Sequence, residues 1–171
     1  MSKPRLASIW LDGCSGCHMS LIDLDDQLFA LAEKVDVVFG PLVDTKEFPE
    51  GVDITLVEGA VSTDEDHEVI KLIRQRTKYL VALGDCAVTT NIPGMRNSSG
   101  TQEMLQGVYP EAPAWTDDLP KLQRALPLHA VVKVDVHLPG CPPPPEMFFA
   151  VIAALLEDRI PDVQNQVRFG M

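Results

Sequence analysis

Four cysteines are the residues of this chain with the clearest chemical potential. Cys14 and Cys17 form a CxxC pair, whereas Cys86 and Cys141 each stand alone. Thiolates in this pattern can hold an iron-sulfur cluster or a zinc ion, and a CxxC pair can also carry out thiol exchange. Structural disulfides are not expected for the cytoplasmic location argued below, because that compartment keeps thiols reduced.

Three of these cysteines follow predicted strands at the same spacing. Cys14, Cys86 and Cys141 each lie three residues after the end of a strand, at Leu11, Leu83 and Leu138 respectively. Ligands of open α/β sheets bind outside the carboxyl ends of the strands, so the sulfurs should converge on one edge. Cys17 begins the first predicted helix, where free amides and the helix dipole favour a thiolate or an anionic cluster.

Spacing alone leaves four interpretations of the cysteines open. An iron-sulfur cluster uses all four residues. Zinc is less favoured, because structural zinc sites commonly take two close ligand pairs. A thiol-exchange pair leaves Cys86 and Cys141 unexplained, and the fourth interpretation is that the cysteines are unrelated core residues.

Short apolar runs separated by helical patterns predict an α/β sheet of five strands. The strands are predicted at residues 5–11, 35–39, 53–57, 79–83 and 131–138. Leucines from Leu21 to Leu31, followed by Val35, recur at three- and four-residue steps, which predicts one amphipathic helix of about four turns.

Two later helices are predicted from their first turns. Ser62 and Glu65 have the spacing of a capping box, which indicates a helix at about 64–77. The last helix is predicted to begin at Pro144 or Pro145 and to continue to Asp158, because proline suits the first helical turn.

The segment 84–129 is rich in proline and glycine and is predicted to be mostly loop. A short helix is expected near 118–126. Loops this long inside a domain are usually functional or disordered, and Met95, Met104 and Trp115 suggest a surface for a partner.

Length and charge limit the classes of function. The 171 residues predict a single domain, 1–171. With 14 basic and 25 acidic residues, the net charge is -11, and no basic run could follow a phosphate backbone, so no nucleic-acid partner is expected. The start lacks the apolar core of a secretory signal and no stretch approaches about 18 apolar residues. We therefore expect a cytoplasmic location and no direct membrane insertion.

Three polar residues near the cysteines have both a functional and an ordinary interpretation. Glu58, at the end of the third strand, could relay protons or be a solvated loop residue. His18 could hydrogen-bond a cluster sulfide or a partner, or be a polar helix cap. Asp85 is interpreted as a turn former. No GxGxxG motif follows the first strand, so FMN in this chain has no motif to support it.

Four segments, taken in order, resemble the small subunits of nickel-iron hydrogenases. They are Leu11–Ser20, Val57–Val61, Leu83–Thr89 and Leu138–Pro143. The resemblance implies that Cys14, Cys17, Cys86 and Cys141 bind one proximal [4Fe-4S] cluster in a flavodoxin-like α/β domain. It also implies a mainly parallel five-stranded sheet of order 2-1-3-4-5, and a Glu58 loop that faces the large subunit.

The short one-cluster form and the segment 84–97 most resemble the bidirectional, NAD-reducing hydrogenases. Thr89 and Thr90 depart from the glycine-rich stretch of the uptake enzymes. The resemblance implies that this chain has no catalytic residue of its own and transfers electrons. Its partners would be a large subunit with the nickel-iron centre and diaphorase subunits with FMN, iron-sulfur clusters and the NAD site.

Two alternative functions remain open. The related subunit of quinone-linked NADH oxidoreductase has adjacent cysteines where this chain has Cys14-Ser-Gly-Cys17. A cluster-carrying subunit of that complex is one alternative, and a zinc-stabilised interaction subunit is the other.

Overall fold

Seven strands are present in the computed structural model, which describes residues 2–111 and 120–163. They are β1 (Arg5–Trp10), β2 (Asp36–Phe39), β3 (Val52–Glu58), β4 (Val61–Thr63), β5 (Thr77–Leu83), β6 (Leu122–Leu126) and β7 (Val136–Leu138). Five of them form a parallel sheet of order β2-β1-β3-β5-β7. Counting only the strands of this sheet, the order is 2-1-3-4-5, so the predicted topology is confirmed. The other two, β4 and β6, pair antiparallel in a separate small sheet.

Seven α-helices occur in the same described residues. They are α1 (Gly16–Ile22), α2 (Asp26–Lys34), α3 (Asp64–Arg76), α4 (Gly84–Thr89), α5 (Asn91–Gly94), α6 (Thr101–Val108) and α7 (Pro145–Leu156). Short 3-10 turns lie at Met95–Ser98 and Leu128–Ala130. None of these helices is long and apolar enough to cross a membrane.

Two hydrophobic clusters cover the two faces of the central sheet. Because successive side chains of a strand point to opposite faces, Ile54 and Leu56 belong to one cluster and Val57 to the other. Helix α7 packs in the first cluster, for example through Phe148, and α3 packs in the second through Ile73. This gives the three-layer α/β arrangement expected of a flavodoxin-like fold.

The helix predicted after Cys17 is interrupted rather than continuous. Helix α1 ends at Ile22 and α2 begins at Asp26. Between them Asp25 has a positive φ of 48°, which short polar residues tolerate better than most others. Aspartate side chains compete for the backbone inside helices, so the Asp23–Asp26 segment overrides the leucine periodicity.

The capping box of the next helix was predicted one residue too early. Thr63, rather than Ser62, is the cap of α3, and its hydroxyl accepts from the backbone N–H of Asp66 at 3.0 Å. The Asp66 carboxylate accepts in return from the backbone N–H groups of Thr63 and Ser62, each at 2.9 Å. Glu65 therefore does not take the capping role that the sequence pattern assigned to it.

The segment predicted to be mostly loop contains considerable regular structure. Between residues 84 and 111 it forms α4, α5, a 3-10 turn and α6. The prediction of a helix near 118–126 is wrong for the part of this range that the structure describes, because residues 122–126 form β6, which pairs with β4. Residues 118 and 119 and Trp115 lie outside the described residues. The last sheet strand is also shorter than the predicted 131–138.

We predict that Thr63→Ala lowers the free energy of unfolding by about 1 kcal/mol, because the capping hydroxyl of α3 is lost. Urea unfolding of the full chain measures the change. Ser62→Ala is the matched control, since its hydroxyl takes no part in the cap. A larger loss for Ser62→Ala than for Thr63→Ala would contradict the assignment.

Candidate metal centre

One row of aligned residues ends four neighbouring strands at the carboxyl edge of the sheet. Trp10 of β1 is in register with Glu58 of β3, and Glu58 is in register with Leu83 of β5. Leu83 in turn is in register with Leu138 of β7. The segments that follow these four residues therefore all begin at the same level, at the carboxyl edge of the sheet.

The four predicted cysteines lie in the loops and helices that leave this row. Cys14 follows β1, and Cys17 lies in α1. Cys86 lies in α4, directly after β5, and Cys141 follows β7. Cys17 is buried, Cys86 is half-buried, and Cys14 and Cys141 are exposed. All four are free thiols. The structure therefore places all four cysteines in segments that leave the carboxyl edge of the sheet.

Gly84 allows the Cys86 segment to approach Cys17 closely. A Cβ atom at this position would lie 2.2 Å from Cys17 Sγ, much closer than real Cβ atoms approach other atoms, so the sulfur would have to move. Gly84 also has a φ of +78°, a conformation that residues with a side chain rarely adopt. The glycine thus keeps space free beside a cysteine sulfur.

Asp85 joins the loops that carry Cys86 and Cys141. Its side-chain Oδ1 accepts from the backbone N–H of Gly140 at 2.7 Å, and its own backbone N–H donates to Gly140 O at 2.9 Å. The interpretation of Asp85 as a simple turn former missed this reciprocal link. A polar residue next to a predicted ligand was the sequence signal that could have suggested it.

Further hydrogen bonds hold the loops around the cysteines. The Ser20 hydroxyl of α1 donates to Pro143 O at 2.7 Å, which ties α1 to the chain just after Cys141. Asn91 Nδ2 lies 3.6 Å from Cys141 Sγ. The backbone of Ile92 makes a hydrogen bond to the Cys86 thiol. Amide groups directed at sulfur are typical of iron-sulfur sites.

Burial disfavours free thiolates at two of the cysteines. Burial raises the pKa of Cys17, and the nearby negative charge of Glu58 raises it further. The pKa of Cys86 is also raised, to about 11, mainly by burial and next by the charges of Cys14 and Cys141. For the metal-free Cys17 thiol, burial outweighs the favourable effect of the start of α1 on a thiolate, whereas an anionic cluster at this position stays a prediction. Four thiolates together at this edge require positive charge from bound metal.

Glu58 is buried, so its interpretation as a solvated loop residue is wrong. The residue is 2% exposed, and its Oε2 accepts from the backbone N–H of His18 at 3.0 Å. The same oxygen pairs with His18 Nδ1. His18 is also buried, and its Nε2 has no hydrogen-bond partner among the described residues. His18 thus pairs with Glu58, and the interpretation of His18 as a polar helix cap is wrong because the N-cap residue of α1 is Ser15.

A partly buried ion pair near the first cysteine was not predicted. Arg96 Nη1 donates to Asp12 Oδ2 at 2.7 Å, and the Arg96 side chain is 11% exposed. This contact ties the 3-10 turn after α5 to the loop between β1 and Cys14. Neither residue belongs to a recognisable motif, so only their approach in three dimensions reveals the pair.

The donor set fits an iron-sulfur cluster. Four cysteines are the usual ligands of a [4Fe-4S] cluster, and Gly84 leaves room beside one of the sulfurs. Among residues 2–111 and 120–163, no three His, Cys, Asp or Glu side chains are grouped closely enough to hold a single metal ion. A single zinc ion binds each of its sulfurs at a Zn–S distance of about 2.3 Å. In a four-iron cluster each cysteine binds a different iron.

Comparisons with known proteins identify relatives over nearly the whole chain. Residues 14–155 match the family described as "NADH ubiquinone oxidoreductase, 20 Kd subunit". A subunit of the F420-non-reducing hydrogenase vhu of Methanocaldococcus jannaschii is 37% identical over 95% of this chain and 59% of its own length. This chain therefore spans about three fifths of that relative. NAD-reducing hydrogenase HoxS subunit delta of Cupriavidus necator is 35% identical, over 96% of this chain and 84% of its own length.

A solved structure of an NAD+-reducing nickel-iron hydrogenase in its H2-reduced state contains a chain of the same fold. The two chains are 38% identical and superpose with a TM-score of 0.90, and the match covers 98% of this chain and 99% of the other. The present chain therefore belongs to the family of the NADH ubiquinone oxidoreductase 20 Kd subunit, among its hydrogenase small subunits.

Proposed function

We propose that this chain is the electron-transfer small subunit of a cytoplasmic nickel-iron hydrogenase that couples H2 oxidation to NAD+ reduction. Cys14, Cys17, Cys86 and Cys141 would hold one proximal [4Fe-4S] cluster. The large subunit would carry the nickel-iron site, and diaphorase subunits would carry FMN, further clusters and the NAD site. The observation that carries the proposal is the convergence of these four thiols at one sheet edge, in a chain that matches one from an NAD+-reducing enzyme over 98% of its length.

The chemistry that such a cluster supplies when bound is the transfer of one electron at a time. The residues of this chain provide the ligands, the space beside Gly84 and the hydrogen bonds that fix the loops. Cys17 and Glu58 are buried, whereas Cys14 and Cys141 are exposed. This asymmetry suits a centre that exchanges electrons with a docked partner.

Apolar side chains on α1, on α5 and in the following 3-10 turn support a partner at this edge. Met19 is 58% exposed, Ile92 is 64% exposed and Met95 is 69% exposed. Of the three residues expected at a partner surface, Met95 agrees with that role and Met104 is half-buried. Exposed methionines are common at protein interfaces. We assign this surface to the large subunit.

A quinone-linked NADH oxidoreductase is the second candidate, because the matching family takes its name from a subunit of that complex. The CxxC spacing of Cys14 and Cys17 favours the hydrogenase. The two candidates differ in the metal and electron acceptor of the whole complex. Nickel in the purified complex and H2-dependent NAD+ reduction would support the hydrogenase, whereas quinone reduction without nickel would support the alternative.

A proton-relay role for Glu58 also stays a proposal. Within the described residues, the hydrogen bonds of its carboxylate lead to His18, where Nε2 has no further partner. A relay through this pair would therefore need an acceptor from the large subunit at His18.

We predict that Gly84→Ala abolishes cluster binding, because the new methyl group would meet Cys17 Sγ. Iron and acid-labile sulfide are measured on anaerobically purified protein, with about four of each expected for the unchanged chain. Gly107→Ala is the matched control, since a Cβ there meets no atom within 4 Å. One zinc and no sulfide in the unchanged protein would contradict the proposal and support the zinc-stabilised alternative.

We also predict that Cys86→Ala separates hydrogen activation from NAD+ reduction in the assembled enzyme. H2/D+ exchange, which takes place at the large subunit, should persist, whereas H2-dependent NAD+ reduction should fall by at least about 100-fold because the electron path is broken. Thr89→Ala, in the same helix α4, is the control and should leave both activities. Full NAD+ reduction by the Cys86→Ala enzyme would contradict the electron-transfer role.

A further inference from the structure

A buried acid and base lie directly behind the cysteines, at the end of the central strand. Glu58 terminates β3, which lies between β1 and β5, the strands that precede Cys14 and Cys86. A Cβ added to Gly13 would lie 3.5 Å from Glu58 Oε1, so one carboxylate oxygen faces the residue before Cys14. The other oxygen accepts from the backbone N–H of His18, the residue after Cys17. The carboxylate thus lies near Gly13 and accepts from His18, the two residues that flank the CxxC loop.

The pair is enclosed by protein. Glu58 is 2% exposed and His18 is 8% exposed. The Trp10 ring packs edge-on against the imidazole, with ring centroids 5.3 Å apart. Charges in such an environment are weakly screened, so they act on neighbouring groups more strongly than surface charges do.

We propose that the Glu58–His18 pair tunes the reduction potential of the metal site, with the carboxylate opposing electron uptake and the imidazole moderating that effect. The inference rests on the proposed function for the presence of a cluster, and it makes Glu58 and His18 positioning and tuning residues rather than ligands. In the redox step, the oxidised site gains one electron. The large subunit supplies this electron in function, and dithionite supplies it in the test.

The sign of the Glu58 effect follows from electrostatics. A fixed negative charge raises the free energy of any added negative charge nearby. Reduction adds negative charge to the metal site near Glu58, so removal of the Glu58 charge should make reduction easier.

The sign of the His18 effect is the opposite. Nδ1 of His18 shares Glu58 Oε2 with the backbone N–H, so the imidazole withdraws part of the carboxylate charge. Without the ring, that charge would be less compensated and the site harder to reduce. A merely structural pair would not shift the potential in opposite directions in the two variants.

The test is an EPR-monitored redox titration of the complete complex, purified anaerobically, with iron and sulfide content measured on every sample. Glu58→Gln keeps the size of the side chain and its hydrogen-bond acceptor but removes the charge, and its midpoint potential should be more positive than that of the unchanged protein. His18→Leu should have a more negative midpoint potential. Glu157→Gln is the control, because this exposed glutamate follows α7 at the opposite edge of the sheet, and it should cause no shift.

The possible outcomes separate this inference from the proposed function. An unchanged protein without iron and sulfide would overturn the proposed function. A fully loaded Glu58→Gln complex with an unchanged or more negative midpoint would overturn the tuning role alone. If Glu58→Gln loses the cluster, the midpoint potential of the His18→Leu complex is the deciding measurement. A more negative midpoint potential supports the inference, and an unchanged or more positive one overturns it. Loss of the cluster from both variants would also overturn it, because the pair would then be only a structural support.

Discussion

The hydrogen-bond register of the parallel sheet is the constraint on which the site depends. It places Trp10, Glu58, Leu83 and Leu138 side by side at the carboxyl edge, although they are separated by as many as 128 positions in the chain. Each cysteine segment leaves this row within a few residues. A slip of one residue in a central strand would move each of its side chains from one hydrophobic cluster to the other, so the packing of the two clusters keeps the cysteine loops in place.

The sequence was sufficient to predict the elements whose signals are local. Apolar runs such as Leu80–Leu83 identify buried strands, and the spacing of Cys86 and Cys141 after strand ends indicates their common edge. The sequence failed where a tertiary contact decides the structure. Residues 122–126 form a strand because β4 offers a partner. Asp85 bridges two loops, and Glu58 is buried against His18, for reasons that appear only when distant segments meet.

Electrostatics disfavours free thiolates at this edge of the sheet. The fold brings four thiols and a buried carboxylate together, and burial raises the pKa of Cys17 and Cys86. Such a site is unfavourable for free thiolates and becomes favourable when iron supplies positive charge. Glycine at position 84 and the hydrogen bonds of Asp85 and Ser20 keep the loops open and fixed. In the proposed function, folding would prepare the site and metal binding would complete its charge balance.

The most direct test is a crystal structure of the anaerobically purified complex with anomalous diffraction measured at the iron edge. We expect four iron positions at the carboxyl edge of this chain, each bound by one of Cys14, Cys17, Cys86 and Cys141. A single zinc atom at this edge, or iron bound by other residues with these four cysteines free, would contradict the account.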